Sequence, residues 1–275
     1  MKRFGKFLYY ILAGGVALFA VGYLIYEIVY QNIFNVSNLI RTLVIVATMI
    51  LAIYRVASGK GKRTKKHSPQ FFRDHYGDHI GNAFSIPTKE SKQFFSALEY
   101  YQADQPAKLV DAMRKLESLC KNHDERFAVF FFKALGYSEM HAYEKSAEAY
   151  EKALLYRDSS TAASNLGLCY QRLALYDKAI DAYRLAIRLD SHNAYPYANL
   201  AQLYLKTENY DQASQYADLA LERQGNLYQV YSVKALVCGL RGDTAGFEKA
   251  SRQYALYGGD RETLLNLARN MNINV

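Results

Sequence analysis

STAASNLGLCYQRLALYDKAIDAYRLAIRLDSHN, residues Ser160 to Asn193, reads as one 34-residue helix–turn–helix unit. Counted from Ser160, Leu166 falls at position 7, Gly167 at 8, Tyr170 at 11, Ala179 at 20, Tyr183 at 24 and Ala186 at 27. Small residues at 8 and 20 let two antiparallel helices approach, and the aromatics at 11 and 24 fill the space beside them. One such pair cannot bury its apolar face alone, so the unit must stack on copies of itself.

The copies flank it. Residues 194–227 repeat the register with Tyr197, Leu200, Ala201, Tyr204, Tyr210, Ala213 and Ala220; Ala217 holds position 24, with Tyr216 one place early. Residues 127–159 match at a 33-residue offset through Ala134, Tyr137, Tyr143, Ser146, Tyr150 and Ala153. Residues 228–261 form a degenerate copy: Ala235 keeps position 8, but Phe247 sits at 20 and Ser251 at 24, so its helices should cross differently. A weaker unit within 88–126 is placed at Gln93–Arg126, with Ala112, Leu116 and Leu119 at 20, 24 and 27. Each repeat supplies tyrosines, which accounts for much of the chain's 25.

This register resembles the tetratricopeptide repeat (TPR), strongly in the middle of the chain and weakly at its ends. The resemblance implies an all-α solenoid with a concave groove lined by the first helix of each unit, holding an extended or helical peptide. Asn165 and Asn199, at position 6, match the asparagine with which such repeats hydrogen-bond a ligand backbone. Gln171, Arg172, Gln202 and Lys206, at positions 9, 12 or 13, are expected to face the same groove. The competing reading, equally open here, is that the asparagines cap and hydrate the helix surface. The family's clamp for chaperone tails needs lysine at position 5; Phe131, Ser164, Ala198 and Ser232 stand there instead, which argues against that ligand.

Charge divides the chain. Residues 1–67 hold ten Lys/Arg against the single Glu27, while the rest carry 24 basic and 25 acidic groups. The basic excess therefore does not point to a nucleic-acid surface on the repeats. After Lys2, Arg3 and Lys6, residues 7–30 run as 24 residues with Glu27 as their one charge, longer than a ~30 Å hydrocarbon layer requires. A cleaved signal peptide competes, but the apolar run continues past Ala20. Residues 39–57 give a second span if Arg41 and Arg55 snorkel to opposite interfaces. The basic stretch from Lys60 to Lys66 follows, and the connecting turn is almost free of basic residues. Positive-inside bias then expects an integral membrane protein of a cell membrane, resembling tethered repeat proteins of bacterial inner membranes, with its repeats cytosolic. Lipid headgroups are the expected contact of the basic stretch. Glu27 and Arg41 read as a headgroup-level ion pair, and Ala13 and Ala17 as a small-residue packing face.

Between span and repeats, residues 58–87 form a basic linker with a short amphipathic helix. Ser68-Pro69 starts it, Phe72, Tyr76, Ile80 and Phe84 make its apolar stripe, and Arg73, Asp74, Asp78 and His79 oppose them. It should end at Ser85-Ile86-Pro87, after which Thr88 can cap the next helix. Gly258-Gly259 should stop the last repeat, and Asp260 should cap a terminal helix covering the stack with Leu264, Leu265, Leu267 and Ala268. Residues 262–275 are read as that cap and its tail.

Chemistry beyond binding is hard to place. His75 and His79 are spaced as a chelating pair, without a third ligand, and an exposed polar face is the simpler reading. Cys120, Cys169 and Cys238, each expected inside a helix, lack metal-ligand spacing and read as packed thiols. With no phosphate loop or nucleophile constellation, the sequence points away from an enzyme, a cofactor and a small-molecule substrate. It points toward a membrane-anchored adaptor for a protein or peptide partner. A structural subunit of an envelope-assembly or export complex, using its membrane hairpin as interface, is the second reading.

Overall fold

The computed structural model describes residues 67–273. The two hydrophobic runs, the stretch from Lys60 to Lys66, and Ala13, Ala17, Glu27 and Arg41 lie outside the described residues. Among the described residues there are twelve α-helices and no strand, and no helix is long and apolar enough to cross a membrane.

The helices, in chain order, are α1 (Pro69–Ile80), α2 (Lys89–Gln102), α3 (Pro106–Glu117), α4 (His123–Glu139), α5 (Tyr143–Leu154) and α6 (Ser160–Arg172). They continue with α7 (Tyr176–Leu189), α8 (Ala194–Lys206), α9 (Tyr210–Arg223), α10 (Tyr228–Leu240), α11 (Thr244–Leu256) and α12 (Arg261–Asn270). From α2 to α11 they form five antiparallel pairs stacked into an all-α solenoid. First helices α2, α4, α6 and α8 begin on side-chain caps, Thr88, Asn122, Ser159 and Asn193, each accepting a bond from a first-turn amide.

Within each pair the turn has one residue at positive φ: Asp104, His141, Ala174, Glu208 and Gly242. The amide after Ala174 reaches back to Tyr170 O at 2.9 Å, and the amide after Glu208 to Tyr204 O at 2.8 Å. Such bonds close the carbonyl end of one helix while turning the chain toward the next.

These turns give the register its physical anchor. Ala174, Glu208 and Gly242 are spaced as the sequence repeats are. Asp104 lies 37 residues before His141, because α4 has 17 residues where α6 and α8 have 13. Anchored on its turn, the first pair therefore starts three residues earlier than its sequence spacing suggested. Its core residues are Leu109, Met113 and Leu116, all essentially buried; of the expected Ala112, Leu116 and Leu119, Leu116 is kept, while Leu109 and Met113 stand in place of Ala112 and Leu119. Leu119 lies beyond the end of α3 and is exposed.

The close approaches match the small residues. A Cβ on Gly167 would lie 2.6 Å from the ring of Tyr183, itself fully buried. Ser146, at position 20 of its unit, donates its hydroxyl to Ala134 O at 2.8 Å, and Cys169 reaches that hydroxyl at 3.2 Å. In the fifth pair, α10 and α11, the bulky Phe247 fits beside the bare backbone of Gly239, where Ile273 also packs.

The core runs as overlapping clusters, with Tyr170 bridging the first to the second and Leu205 the second to the third. At the C-terminal end Asp260 accepts from the Glu262 and Thr263 amides, as expected of a cap. Leu264 and Ala268, four residues apart, are buried, and Leu265 is half-buried. The expected contribution of Leu267 is absent: it points to solvent, and Ile273 beyond the helix covers the stack instead.

Helix α1 starts on the Ser68 cap, and Phe72 and Ile80 are fully buried. It stops at Gly81, where φ is +55°, short of Phe84, and Tyr76 interrupts it with non-helical φ. Its packing partners are α4 and α2. Cys120 also departs from expectation, since it lies in the loop between α3 and α4.

Candidate functional site

Counting back nine residues from each turn residue gives one equivalent position on each first helix. The positions are Phe95 on α2, Phe132 on α4, Asn165 on α6, Asn199 on α8 and Val233 on α10. The residue before each is Phe94, Phe131, Ser164, Ala198 and Ser232.

Over the first two pairs this face is covered. Phe72 of α1 stacks on Phe95 with centroids 6.2 Å apart, and Tyr76 meets Phe132 edge-on at 5.8 Å. His79 stacks on Phe131 at 4.4 Å. Arg73 lies over the Phe95 ring, and Gln102 donates to the Tyr76 hydroxyl at 2.5 Å. At the far end of α1, Arg157 donates to Asp78 O at 2.8 Å and pairs with Asp124 at 3.4 Å. His79 thus does not sit on an exposed polar face with His75. His75 is exposed and bonded to Phe71 O at 2.8 Å, whereas Nδ1 of His79 is buried without a hydrogen-bond partner among the described residues. Burial holds the His79 imidazole below its ordinary pKa, with Asp78 opposing and Arg157 reinforcing.

From α6 onward the face is uncovered by α1. Asn165 is half-buried and its Nδ2 donates to the hydroxyl of Tyr150, at 3.1 Å. Asn199, also half-buried, donates to Ser164 Oγ at 3.3 Å, one repeat earlier. Both amides therefore join neighbouring repeats through their nitrogens. Gln171 accepts from the Tyr183 hydroxyl at 2.8 Å, so it too supports packing. Gln202 is half-buried, Arg172 is exposed, and exposed Lys206 lies 5.2 Å from the Tyr176 ring centroid. Sequence reasoning missed Leu168 (40% exposed) and Tyr195 (55% exposed), the apolar side chains that α6 and α8 present to solvent. Their positions 9 and 2 in the repeat were the available signal.

This arrangement offers a surface for contact. Burial raises the Cys120 thiol to about 11 and raises Cys169 as well, so neither is a ready thiolate. Among the described residues no group of three His, Cys, Asp or Glu side chains is placed to hold a metal ion.

Comparison with known proteins agrees with the fold. The tetratricopeptide repeat family model matches residues 161–193 and 194–227. A TPR repeat-containing protein of Methanocaldococcus jannaschii is 39% identical over 82 residues, 27% of this chain and 14% of that protein. The chain therefore spans a small part of the curated relative it matches. The crystal structure of MamA superposes with a TM-score of 0.54 at 17% identity, covering 58% of this chain and 93% of MamA. YrrB, described as a TPR protein with an unusual peptide-binding site, gives a TM-score of 0.53 at 11% identity, covering 74% of this chain and 99% of YrrB. At such identities the structural likeness concerns the fold.

Proposed function

We propose that this chain is a membrane-anchored adaptor that binds a protein or peptide partner on its first-helix face, at the cytosolic side of a cell membrane. The observation that carries the reading is the stretch over α6 and α8 that α1 leaves uncovered. There two asparagines recur one repeat apart beside the exposed side chains of Leu168 and Tyr195. A rigid stack presenting polar hydrogen-bonding groups and isolated apolar anchors is suited to holding a peptide. The peptide-binding site described for YrrB supports such a use of this fold. The anchor rests on the hydrophobic runs 7–30 and 39–57, and the cytosolic placement on the basic residues that flank them.

The test is co-purification with the detergent-solubilised full chain. Leu168→Ala with Tyr195→Ala should leave the melting temperature unchanged, because both side chains face solvent, and should deplete the partner. Retention of every partner by that variant would move the binding surface elsewhere. For topology, a fluorescent protein fused at Val275 should fluoresce; an active alkaline phosphatase at that end would place the repeats on the other side.

A further inference from the structure

The first-helix face is divided by chemistry. Its equivalent positions are aromatic on α2 and α4, as Phe95 and Phe132, and polar on α6 and α8, as Asn165 and Asn199. The aromatic part already holds a helix of this same chain, α1, seated through Phe72, Tyr76 and His79. Phe72 is fully buried there, and Phe95 and Phe132 are buried as well, so that part is filled.

The open part has a distinctive charge. Helices α6, α8 and α10 contain no aspartate or glutamate, and their charged residues are Arg172, Lys206 and Lys234. Lys234 is paired with Asp218 of α9. Neither Arg172 nor Lys206 has a carboxylate within ion-pair distance among the described residues. Both stand at position 13, one repeat apart, where α4 carries the acidic Glu139. The charge at this position therefore changes sign between α4 and α6.

We infer that α1 is the resident occupant of the first part of the groove, and that the open part takes a segment of another protein bearing side-chain carboxylates. Arg172 and Lys206 select it by charge, and Leu168 and Tyr195 supply apolar contact. This rests on the groove reading proposed above and specifies the chemistry of its ligand. Two exposed cations supply a modest preference, about ten-fold at low salt and reduced as salt is added.

A photo-crosslinking amino acid at Tyr195 in the solubilised full chain provides a local readout, insensitive to the basic N-terminal stretch. The probes are three fluorescent peptides of alternating leucine and glutamate, leucine and glutamine, or leucine and lysine. The expected result is roughly ten-fold more adduct with the glutamate peptide than with the other two at low salt, converging as salt rises. The double variant Arg172→Glu, Lys206→Glu should transfer the preference to the lysine peptide. Equal adducts from all three peptides, or a preference untouched by the double variant, would overturn the charge selection while leaving the groove in place. No adduct from any peptide would overturn the groove as well.

Discussion

Asn165 shows how one side chain joins two neighbouring repeats. Its nitrogen is directed to Tyr150, whose ring is 1% exposed and whose phenol burial pushes to a higher pKa. Removing the amide leaves a buried hydroxyl unpaired, so Asn165→Ala should destabilise by about 1–3 kcal/mol. Gln202→Ala on the same face should stay within about 0.5 kcal/mol, and chemical denaturation of both variants checks the difference. His79 gives a pH dependence. Its folded-state pKa lies below the ordinary value of about 6.5, so the unfolded chain binds the proton more tightly. Its contribution is therefore fully present above about pH 6.5 and is lost as pH falls through the folded value, at about 1.4 kcal/mol per unit. The groups around it are Asp78 and Arg157, with Asp124 paired to Arg157. The opening constant of α1, read from hydrogen exchange after allowing for the slower intrinsic exchange of amides at lower pH, should rise on acidification from pH 7 to 5, and His79→Phe should blunt that rise. An equal rise in the variant would assign the effect to carboxylates instead.

At the scale of helices, the turns limit how far the sequence could be read. Only Gly242 among the five repeat turns is glycine; Asp104, His141, Ala174 and Glu208 adopt positive φ with side chains that disfavour it. The repeat forces this conformation because packing on both sides fixes the two helices that the turn joins. Ala174 is exposed, so Ala174→Gly should relieve the strain without losing contacts and raise stability by up to about 1 kcal/mol. A lower melting temperature would mean that the flexibility glycine adds to the unfolded chain outweighs the relief. The hidden turn also explains the three-residue slip in the first pair. Without a glycine at Asp104, spacing alone had to place it, and the longer α4 broke the spacing.

At the scale of the molecule, α1 is part of the repeat unit. The chain separates compactly before His67, with α1 inside the unit that follows. A repeat fragment starting at residue 88 would lose Phe72 and Ile80, both fully buried, and expose Phe95, Phe131 and Phe132. Each buried side chain of that size contributes about 1.5–3 kcal/mol. Residues 67–275 should therefore give a monomeric helical fragment, whereas residues 88–275 should melt lower and bind a hydrophobic dye. Identical melting of the two fragments would show that α1 is held too weakly to fill the groove.

The sequence by itself determined the stack of helix pairs from Phe127 onward. Small residues where the two helices of a pair approach, as Gly167 does against Tyr183, are local features that return at the repeat spacing at Ala134, Ala201 and Ala235, so the period is written in the chain. It also determined the caps at Ser68, Thr88 and Asp260, each a short-range bond between a side chain and a nearby amide. Only the tertiary structure decided that α1 covers the aromatic half of the groove. An amphipathic stripe says that a helix must bury a face and leaves its partner unspecified. The partner is settled by contacts such as His79 on Phe131, made across a long stretch of chain. The inward direction of the Asn165 and Gln171 side chains was decided in the same way, by hydroxyls of Tyr150 and Tyr183 that burial left in need of partners.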